Sequence, residues 1–212
     1  MEIIPTILNK EFEGAETKIS LIDGLSKWVQ IDVVDGYFTQ GKTFELELLS
    51  KLPEAQQLLW DVHLMVKEPE KWIEKCLFIG GIRVIGQVEL MSNRESFVNK
   101  VKDAGMEAGV AFDVETEVGD IPSETDVVLL MARKAGFGNF ETDRRVFEKI
   151  KKLQIIRDEG NYKFKIGIDG GVDLGNIKFF KKTNVDIVYI GGAIFNGDVE
   201  ENWNKLQLTN DF

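Results

Sequence analysis

The chain has 212 residues, a formal net charge of -10 and a single cysteine, Cys76. Its length predicts one domain over residues 1–212, and its 43% of hydrophobic residues is enough for a packed core. The acidic charge disfavours a nucleic-acid binder, although backbone N–H groups can still hold an anionic ligand. One cysteine excludes an intrachain disulfide, which is typical of a cytoplasmic protein. Because no apolar run is long enough to span a bilayer, we expect no membrane partner.

Short apolar runs alternate with longer amphipathic stretches along the chain. The first run, within MEIIPTIL, lacks the basic and long apolar regions of a secretory signal and predicts a strand instead. The predicted strands cover residues 3–8, 28–34, 59–65, 83–88, 107–112, 126–131, 164–168 and 187–190. The predicted helical stretches run through residue 21, over 45–52, from 68–69 onward, from an N-cap at Ser92 to residue 104, and over 142–157, 174–182 and 198–206.

Eight strands that alternate with helical stretches predict a parallel sheet. The strands are apolar nearly throughout, which indicates that both faces of the sheet are covered. Eight such units in 212 residues favour an α/β fold of the closed (β/α)8 TIM barrel type, and a doubly wound open sheet is the alternative. In such barrels the functional residues lie at the C-terminal ends of the strands and in the loops that follow them.

Polar residues occupy those ends in several strands. Side chains alternate along a strand, so Gln30 and Asp32 point the same way. If that way is inward, they can converge with His63 on the third strand and Asp169 after the seventh. Two carboxylates, one imidazole and one amide suit metal binding or acid/base chemistry. A lone buried histidine is more often structural, and Asp169 before two glycines could only shape a turn, but their coincidence at one end favours a site.

Glycine-containing loops follow the last three predicted strands. In these barrels a phosphate often binds near the loops after strands seven and eight, where glycine lets backbone amides come close. The sequence therefore predicts a phosphate site around Gly136, Gly138, Gly170, Gly171, Gly191 and Gly192. The neighbouring basic residues Arg133 and Lys134 either contact that phosphate or remain solvated surface charges.

Six segments resemble, in order, the motifs of the ribulose-phosphate 3-epimerase family. They are IIPTIL, IDVVDGYF, HLMV, LLMARKAGFGNF, IDGGV and IGGAIF, and they span nearly the whole chain. The resemblance implies a ribulose-phosphate-binding barrel that interconverts ribulose 5-phosphate and xylulose 5-phosphate, hence a phosphorylated ketose substrate. It implies a divalent metal (Mn2+, Zn2+, Fe2+ or Mg2+) that stabilises an enediolate. Because family members often form homo-oligomers, it also raises the expectation that the chain associates with its own copies.

The family's motifs imply roles for individual residues. Asp32 and Asp169 would exchange a proton on opposite faces of the substrate, and both would bind the metal together with His63. Removal of a proton from one face and its return to the other requires two such groups. The resemblance further implies that the substrate pocket contains Thr6, Met65, Met131, Gly136, Gly138, Gly170, Gly171, Gly191 and Gly192.

Some positions depart from the family's pattern. Gln30 stands where the family has its first metal-binding histidine, and His63 is the only histidine of the chain. Metal binding through the Gln30 amide oxygen would give three oxygens and one nitrogen, a set that favours Mn2+ or Mg2+ over Zn2+. The family's His-x-Glu on strand four is Gln87-Val88-Glu89, and Ala135 replaces the proline before the phosphate loop.

Three hypotheses for the function follow. The presence of both aspartates favours an active sugar-phosphate epimerase. The departures motivate the second, a relative that binds a phosphorylated ligand or a protein partner without turnover, since a fold does not dictate function. The third is another barrel enzyme, such as an aldolase or decarboxylase, which would need a lysine at the active end of a strand. Lys165 lies four positions before Asp169, so we expect it nearer the other end.

Overall fold

The eight predicted strands close into a parallel barrel. The computed structural model describes residues 1–53, 57–138 and 141–211, and each strand pairs with the next in sequence, with the last pairing with the first. The strands are β1 (Glu2–Ile7), β2 (Trp28–Val34), β3 (Leu59–Met65), β4 (Gly81–Gln87), β5 (Glu107–Phe112), β6 (Val127–Met131), β7 (Lys165–Asp169) and β8 (Ile187–Ile190). The predicted TIM barrel is confirmed, and the open-sheet alternative is excluded.

Helices follow most of the strands and cover the outside of the barrel. The α-helices are α1 (Phe12–Ile22), α2 (Ile73–Phe78), α3 (Arg94–Asp103), α4 (Arg145–Glu159), α5 (Ile177–Lys182), α6 (Gly192–Phe195) and α7 (Val199–Asp211). The 3-10 helices Leu46–Lys51 and Pro69–Trp72 follow β2 and β3. None of the described helices combines the length and the apolar character needed to cross a membrane.

Helix ends differ from the prediction where tertiary partners compete for side chains. The N-cap of α3 is Asn93 and not Ser92, because the Asn93 side chain accepts a hydrogen bond from the N–H of Ser96. The Ser92 hydroxyl instead donates to Glu68 on a neighbouring loop. The helical stretch predicted over 45–52 is a 3-10 helix over Leu46–Lys51.

Helix α5 is shorter than the predicted stretch over 174–182. The side chain of Asp173 accepts hydrogen bonds from the N–H groups of Gly175 and Asn176, which holds these residues in a turn. The helix therefore begins only at Ile177.

Alternating side chains divide the core into two layers. On β6, Val128 and Leu130 belong to the cluster between the sheet and the helices, whereas Val127, Leu129 and Met131 belong to the cluster inside the barrel. The same alternation places Val34 inside, so the other even-numbered residues of β2 also point into the barrel. Coverage of both faces explains why the strands are apolar nearly throughout.

An ion pair is buried inside the barrel. The guanidinium of Arg83 donates to Asp61 at 2.9 Å, and the hydroxyl of Tyr189 donates to the same carboxylate oxygen at 2.7 Å. Arg83 also pairs with Glu107 at 2.6 Å and lies 4.4 Å from the ring centroid of Trp28. Arginine thus joins β3, β4, β5 and β8 across the interior, and its charge is compensated on two sides.

Breaking this ion pair is expected to destabilise the barrel. Arg83→Met leaves the Asp61 carboxylate buried without its cation, and such a loss costs about 3–5 kcal/mol in the free energy of unfolding. Glu107→Gln is the matched control, because the Glu107 side chain is 42% exposed and an exposed pair contributes about 1 kcal/mol or less. Urea unfolding at pH 7 measures both. Equal losses in the two variants would contradict the structural role of the buried pair.

Candidate active site

Polar side chains of four strands meet at the C-terminal end of the barrel interior. Thr6 of β1 lies beside Gln30 of β2 in the strand register, and Asp32 of β2 lies beside His63 of β3. Asp169 is the last residue of β7. All five side chains are buried. The structure therefore brings together the four residues that strand alternation had suggested, and adds Thr6 to them.

The two aspartates share one imidazole. Nδ1 of His63 lies 2.9 Å from Oδ1 of Asp32 and 3.7 Å from Oδ2 of Asp169. One ligand atom from each of these three residues lies within 4.8 Å of the other two. That spacing fits coordination of a single metal ion by one nitrogen and two oxygens.

Gln30 contacts both aspartates through its amide nitrogen. Nε2 donates to Oγ1 of Thr6 at 2.9 Å, to Asp169 at 3.1 Å and to Asp32 at 3.3 Å. The Thr6 hydroxyl in turn donates to Asp32 at 3.1 Å. The amide oxygen of Gln30 is buried and has no hydrogen-bond partner among the described residues. A buried carbonyl oxygen without a partner is costly, so this side chain has an unused ligand atom.

Gln87 of β4 orients the imidazole from the other side. Its amide is assigned so that the nitrogen donates to Glu89 at 2.8 Å and to the carbonyl of Ala111 at 3.1 Å. In that orientation its oxygen accepts a hydrogen bond from Nε2 of His63 at 3.2 Å. A second hydrogen, on Nδ1, makes His63 an imidazolium that donates to Asp32 at 2.9 Å, and loss of that hydrogen leaves the Nδ1 lone pair for a metal ion. The contact of Nε2 with Gln87 is how proteins commonly orient a metal-binding histidine.

The shared burial changes the proton affinity of the site. Burial, together with the negative charge of Asp32, raises the pKa of Asp169 to about 7, although His63 and Gln30 oppose this shift. Burial lowers the pKa of His63, but its hydrogen bond to Asp32 and the charges of both aspartates outweigh that effect and raise it. A carboxyl group with a pKa near neutrality can both accept and donate a proton under ordinary conditions.

A cavity of about 270 Å³ opens beside these acids. Thr6, Asp169, Arg133 and Tyr189 line it, together with loop residues after β7 and β8. The predicted glycines on its wall are Gly170, Gly171, Gly191 and Gly192. A Cβ atom at Gly191 would lie 3.1 Å from the Thr6 carbonyl oxygen, which is a tight contact. Larger cavities lie elsewhere on the surface, but neither contains the acids.

The remaining predicted pocket residues lie outside this cavity. Met65 and Met131 are buried in the apolar cluster inside the barrel. Gly136 packs against the side chain of Thr39, and Gly138 is exposed in the same loop. Of that phosphate-loop motif, residues 139–140 lie outside the described part of the chain.

Other candidates have structural roles. Asp35 forms a turn, since its carboxylate accepts hydrogen bonds from the N–H groups of Tyr37 and Phe38. Glu89 accepts a hydrogen bond from the N–H of Asp113 after β5. Lys165 is the exposed first residue of β7, at the end of the barrel opposite the acids. The lysine that an aldolase-type mechanism requires is therefore not supplied by Lys165.

Sequence reasoning missed several residues of the cavity, and Tyr189 is the one of them that lies on a strand. Tyr189 was assigned only to a strand, yet its alternation with Ile190 placed it on the inward face of β8. It lines the cavity and contacts Asp61 deeper in the barrel. That inward position was the signal in the sequence that could have identified it.

Comparisons with known proteins agree with this geometry. A family model described as the ribulose-phosphate 3 epimerase family matches residues 2–195. A ribulose-phosphate 3-epimerase of Aquifex aeolicus is 30% identical over 190 residues, which cover 88% of this chain and 86% of that protein. One of Treponema pallidum is 26% identical over 199 residues, or 92% and 91% of the two chains.

Solved structures are similar to this protein in fold but much less so in sequence. The structure of KGPDC from Streptococcus mutans superposes with a TM-score of 0.73 at 12% identity, over 99% of this chain and 97% of that one. This likeness establishes the barrel alone. The match of the family model to most of the sequence goes further, and the chain belongs to the ribulose-phosphate 3-epimerase family.

Proposed function

We propose that this protein is a sugar-phosphate 3-epimerase that interconverts ribulose 5-phosphate and xylulose 5-phosphate. The observation that carries the proposal is the pair of buried carboxylates, Asp32 and Asp169, which come from different strands and share the Gln30 amide. Inversion at one carbon requires one group to remove a proton and a second to return one from the opposite face. Membership of the ribulose-phosphate 3-epimerase family supports the same reaction.

Proton transfer uses the two carboxyl groups in turn. In one direction Asp32, as the carboxylate, takes the proton from C3, and the electron pair of the C–H bond moves into the enediolate. Asp169, as the carboxylic acid, returns a proton to the other face of C3, and burial together with the charge of Asp32 favours that protonated form by raising its pKa. The reverse reaction exchanges the two roles, or the carboxyl groups exchange protons with solvent after the product leaves.

Metal binding is the second part of the proposal. Asp32, His63 and Asp169 would hold a divalent cation, and the spacing of their ligand atoms supports this. The unpartnered oxygen of Gln30 supports it as a fourth ligand, after the amide turns over. Three oxygens and one nitrogen favour Mn2+ or Mg2+ over Zn2+. When bound, such a cation supplies the Lewis acidity that makes a proton beside a carbonyl easier to remove.

Metal affinity should depend on His63 and on the residue that orients it. We expect wild-type protein to bind one Mn2+ per chain, His63→Gln to abolish tight binding, and Gln87→Leu to weaken it about 10–100-fold. Asp103→Asn is the control, because Asp103 is exposed at the end of α3. Free Mn2+, followed by electron paramagnetic resonance during titration, gives the affinities, and circular dichroism verifies folding. Unchanged Mn2+ affinity in both site variants would refute the metal assignment.

Turnover should depend on each aspartate separately. Asp32→Asn and Asp169→Asn preserve shape but remove the proton acceptor, so each should lower kcat about 10²–10⁴-fold. Asp103→Asn serves again as the carboxylate-to-amide control. The measurements are formation of xylulose 5-phosphate with added Mn2+, and incorporation of deuterium at C3 in D2O.

Two outcomes would count against the epimerase. If either site variant kept kcat within tenfold of wild type, the two-aspartate transfer would be wrong. If wild-type protein turned over no ketose phosphate with Mn2+, Zn2+, Fe2+ or Mg2+, the alternative of a binding protein without epimerase activity would replace it.

A further inference from the structure

Arg133 carries a positive charge beside the acids and has no hydrogen-bond or ion-pair partner in the part of the chain that the structure describes. It lies two residues after the end of β6 and lines the cavity that contains Asp169. Its side chain is only partly exposed. Within residues 1–53, 57–138 and 141–211, no hydrogen bond or ion pair engages its guanidinium. A partly buried arginine without a partner has all its N–H donors available for a ligand.

Gly170 fixes where the arginine side chain lies. A Cβ atom at Gly170 would come within 2.5 Å of Cγ of Arg133 and within 3.0 Å of its backbone nitrogen. Gly170 also has a φ of 108°, a conformation that other residues rarely adopt. The aliphatic part of Arg133 therefore runs across the glycine loop after β7. Its charge reaches Asp169, where it opposes the rise in the pKa of that acid.

Most of the acids on the far side of Arg133 are paired with other groups. Arg133 also borders a second cavity, of about 310 Å³. There Glu115 and Asp143 both pair with Arg145. Asp113 accepts the N–H groups of Val114 and Ala135. These three acids are engaged by other groups. Glu141 on the same wall is exposed and is not paired with Arg133, so the guanidinium remains available on the side of the site.

The site cavity is otherwise unfavourable for an anion. Asp169 lies on its wall, Asp32 is close behind, and the whole chain has a formal net charge of -10. A substrate phosphate would be repelled by these carboxylates in a partly buried space where screening by salt is weak. A cation on the same wall offsets that repulsion. Among the described residues, Arg133 is the one basic residue on the wall of this cavity.

We propose that Arg133 determines specificity by binding the phosphate group of the substrate through its guanidinium. The planar guanidinium can donate two parallel hydrogen bonds to phosphate oxygens, next to the backbone of Gly171 and Gly192 on the same wall. This proposal rests on the proposed function, because it assumes that the cavity receives a phosphorylated ketose. Lys134, by contrast, is exposed and remains a solvated charge.

Inorganic phosphate tests the binding step without turnover. Isothermal titration of the purified protein should show binding that Arg133→Met weakens roughly tenfold or more. Arg133→Lys should weaken it less, since the charge remains while the two-pronged geometry is lost. Lys134→Met is the matched control and should stay within about twofold of wild type, as expected for an exposed charge. Methionine preserves the chain that crosses Gly170, and thermal unfolding checks that the variants are folded.

Several results would overturn the proposal. They are absence of phosphate binding by wild-type protein, affinity of Arg133→Met within about twofold of wild type, or equal weakening by Lys134→Met. In the first two cases the guanidinium would not be the ligand, and in the third only the net charge would matter.

Kinetics with ribulose 5-phosphate separate this inference from the epimerase itself. Arg133→Met should raise KM about tenfold and leave kcat within about threefold, because a contact to a remote phosphate contributes similarly to the ground and transition states. An unchanged KM in an active enzyme would refute the role of Arg133 alone. A wild-type protein that binds phosphate through Arg133 but has no turnover would refute the epimerase and leave this inference intact.

Discussion

Two carboxylates buried beside one another in a closed barrel set the conditions for the rest of this site. Asp32 and Asp169 are 6% and 5% exposed, so water compensates little of their charge. Their mutual repulsion must be relieved by protons, by hydrogen-bond donors or by a cation. The surrounding residues provide hydrogen-bond donors directly, through the Gln30 amide and the Thr6 hydroxyl. The imidazole of His63 lies between the two carboxylates, and the three side chains together could bind a divalent cation.

The same constraint recurs one layer deeper in the barrel. Asp61 precedes His63 by two residues on β3 and is buried with Arg83 and Tyr189 as partners. Here the compensating positive charge is the side chain of Arg83. This layer is therefore suited to stabilising the barrel and not to proton transfer. Tyr189 belongs to both layers, since it also lines the cavity beside Asp169. The Asp61–Arg83 ion pair thus lies one layer below Asp32 and Asp169 in the barrel interior.

Binding of a phosphorylated substrate would add a second source of electrostatic repulsion to that between the two aspartates. A phosphorylated sugar brings further negative charge to a site that already contains two aspartates. Glycines of the loops after β7 and β8 give close access to the backbone, and Arg133 adds a positive charge on the same wall. In the proposed arrangement the phosphate lies at Arg133 and these loops, so the cavity can hold an anion while its contact with the two carboxylates is limited.

The local pattern of the sequence predicted much of this arrangement. Strand alternation alone indicated that Gln30 and Asp32 share a direction, and the paired strands place both in the barrel interior. Predicted strand bounds lie within two residues of the observed ones, because apolar periodicity is a local property. Periodicity could only place residues on a face of a strand. The resemblance to the family's motifs implied chemical roles for those residues, and the family model matches the chain.

Other features depended on contacts between segments far apart in sequence. Asn93 caps α3 in place of Ser92 because Glu68 engages the serine. Gln87 contacts His63 only because β3 and β4 are neighbours. Whether Arg133 was a surface charge or part of the site depended on Gly170, 37 residues later, which gives its side chain room. The sequence by itself determined the strands, their apolar faces and the candidate acids. The tertiary structure decided which polar atoms are partnered and which remain available, because pairing depends on distances that chain spacing does not specify.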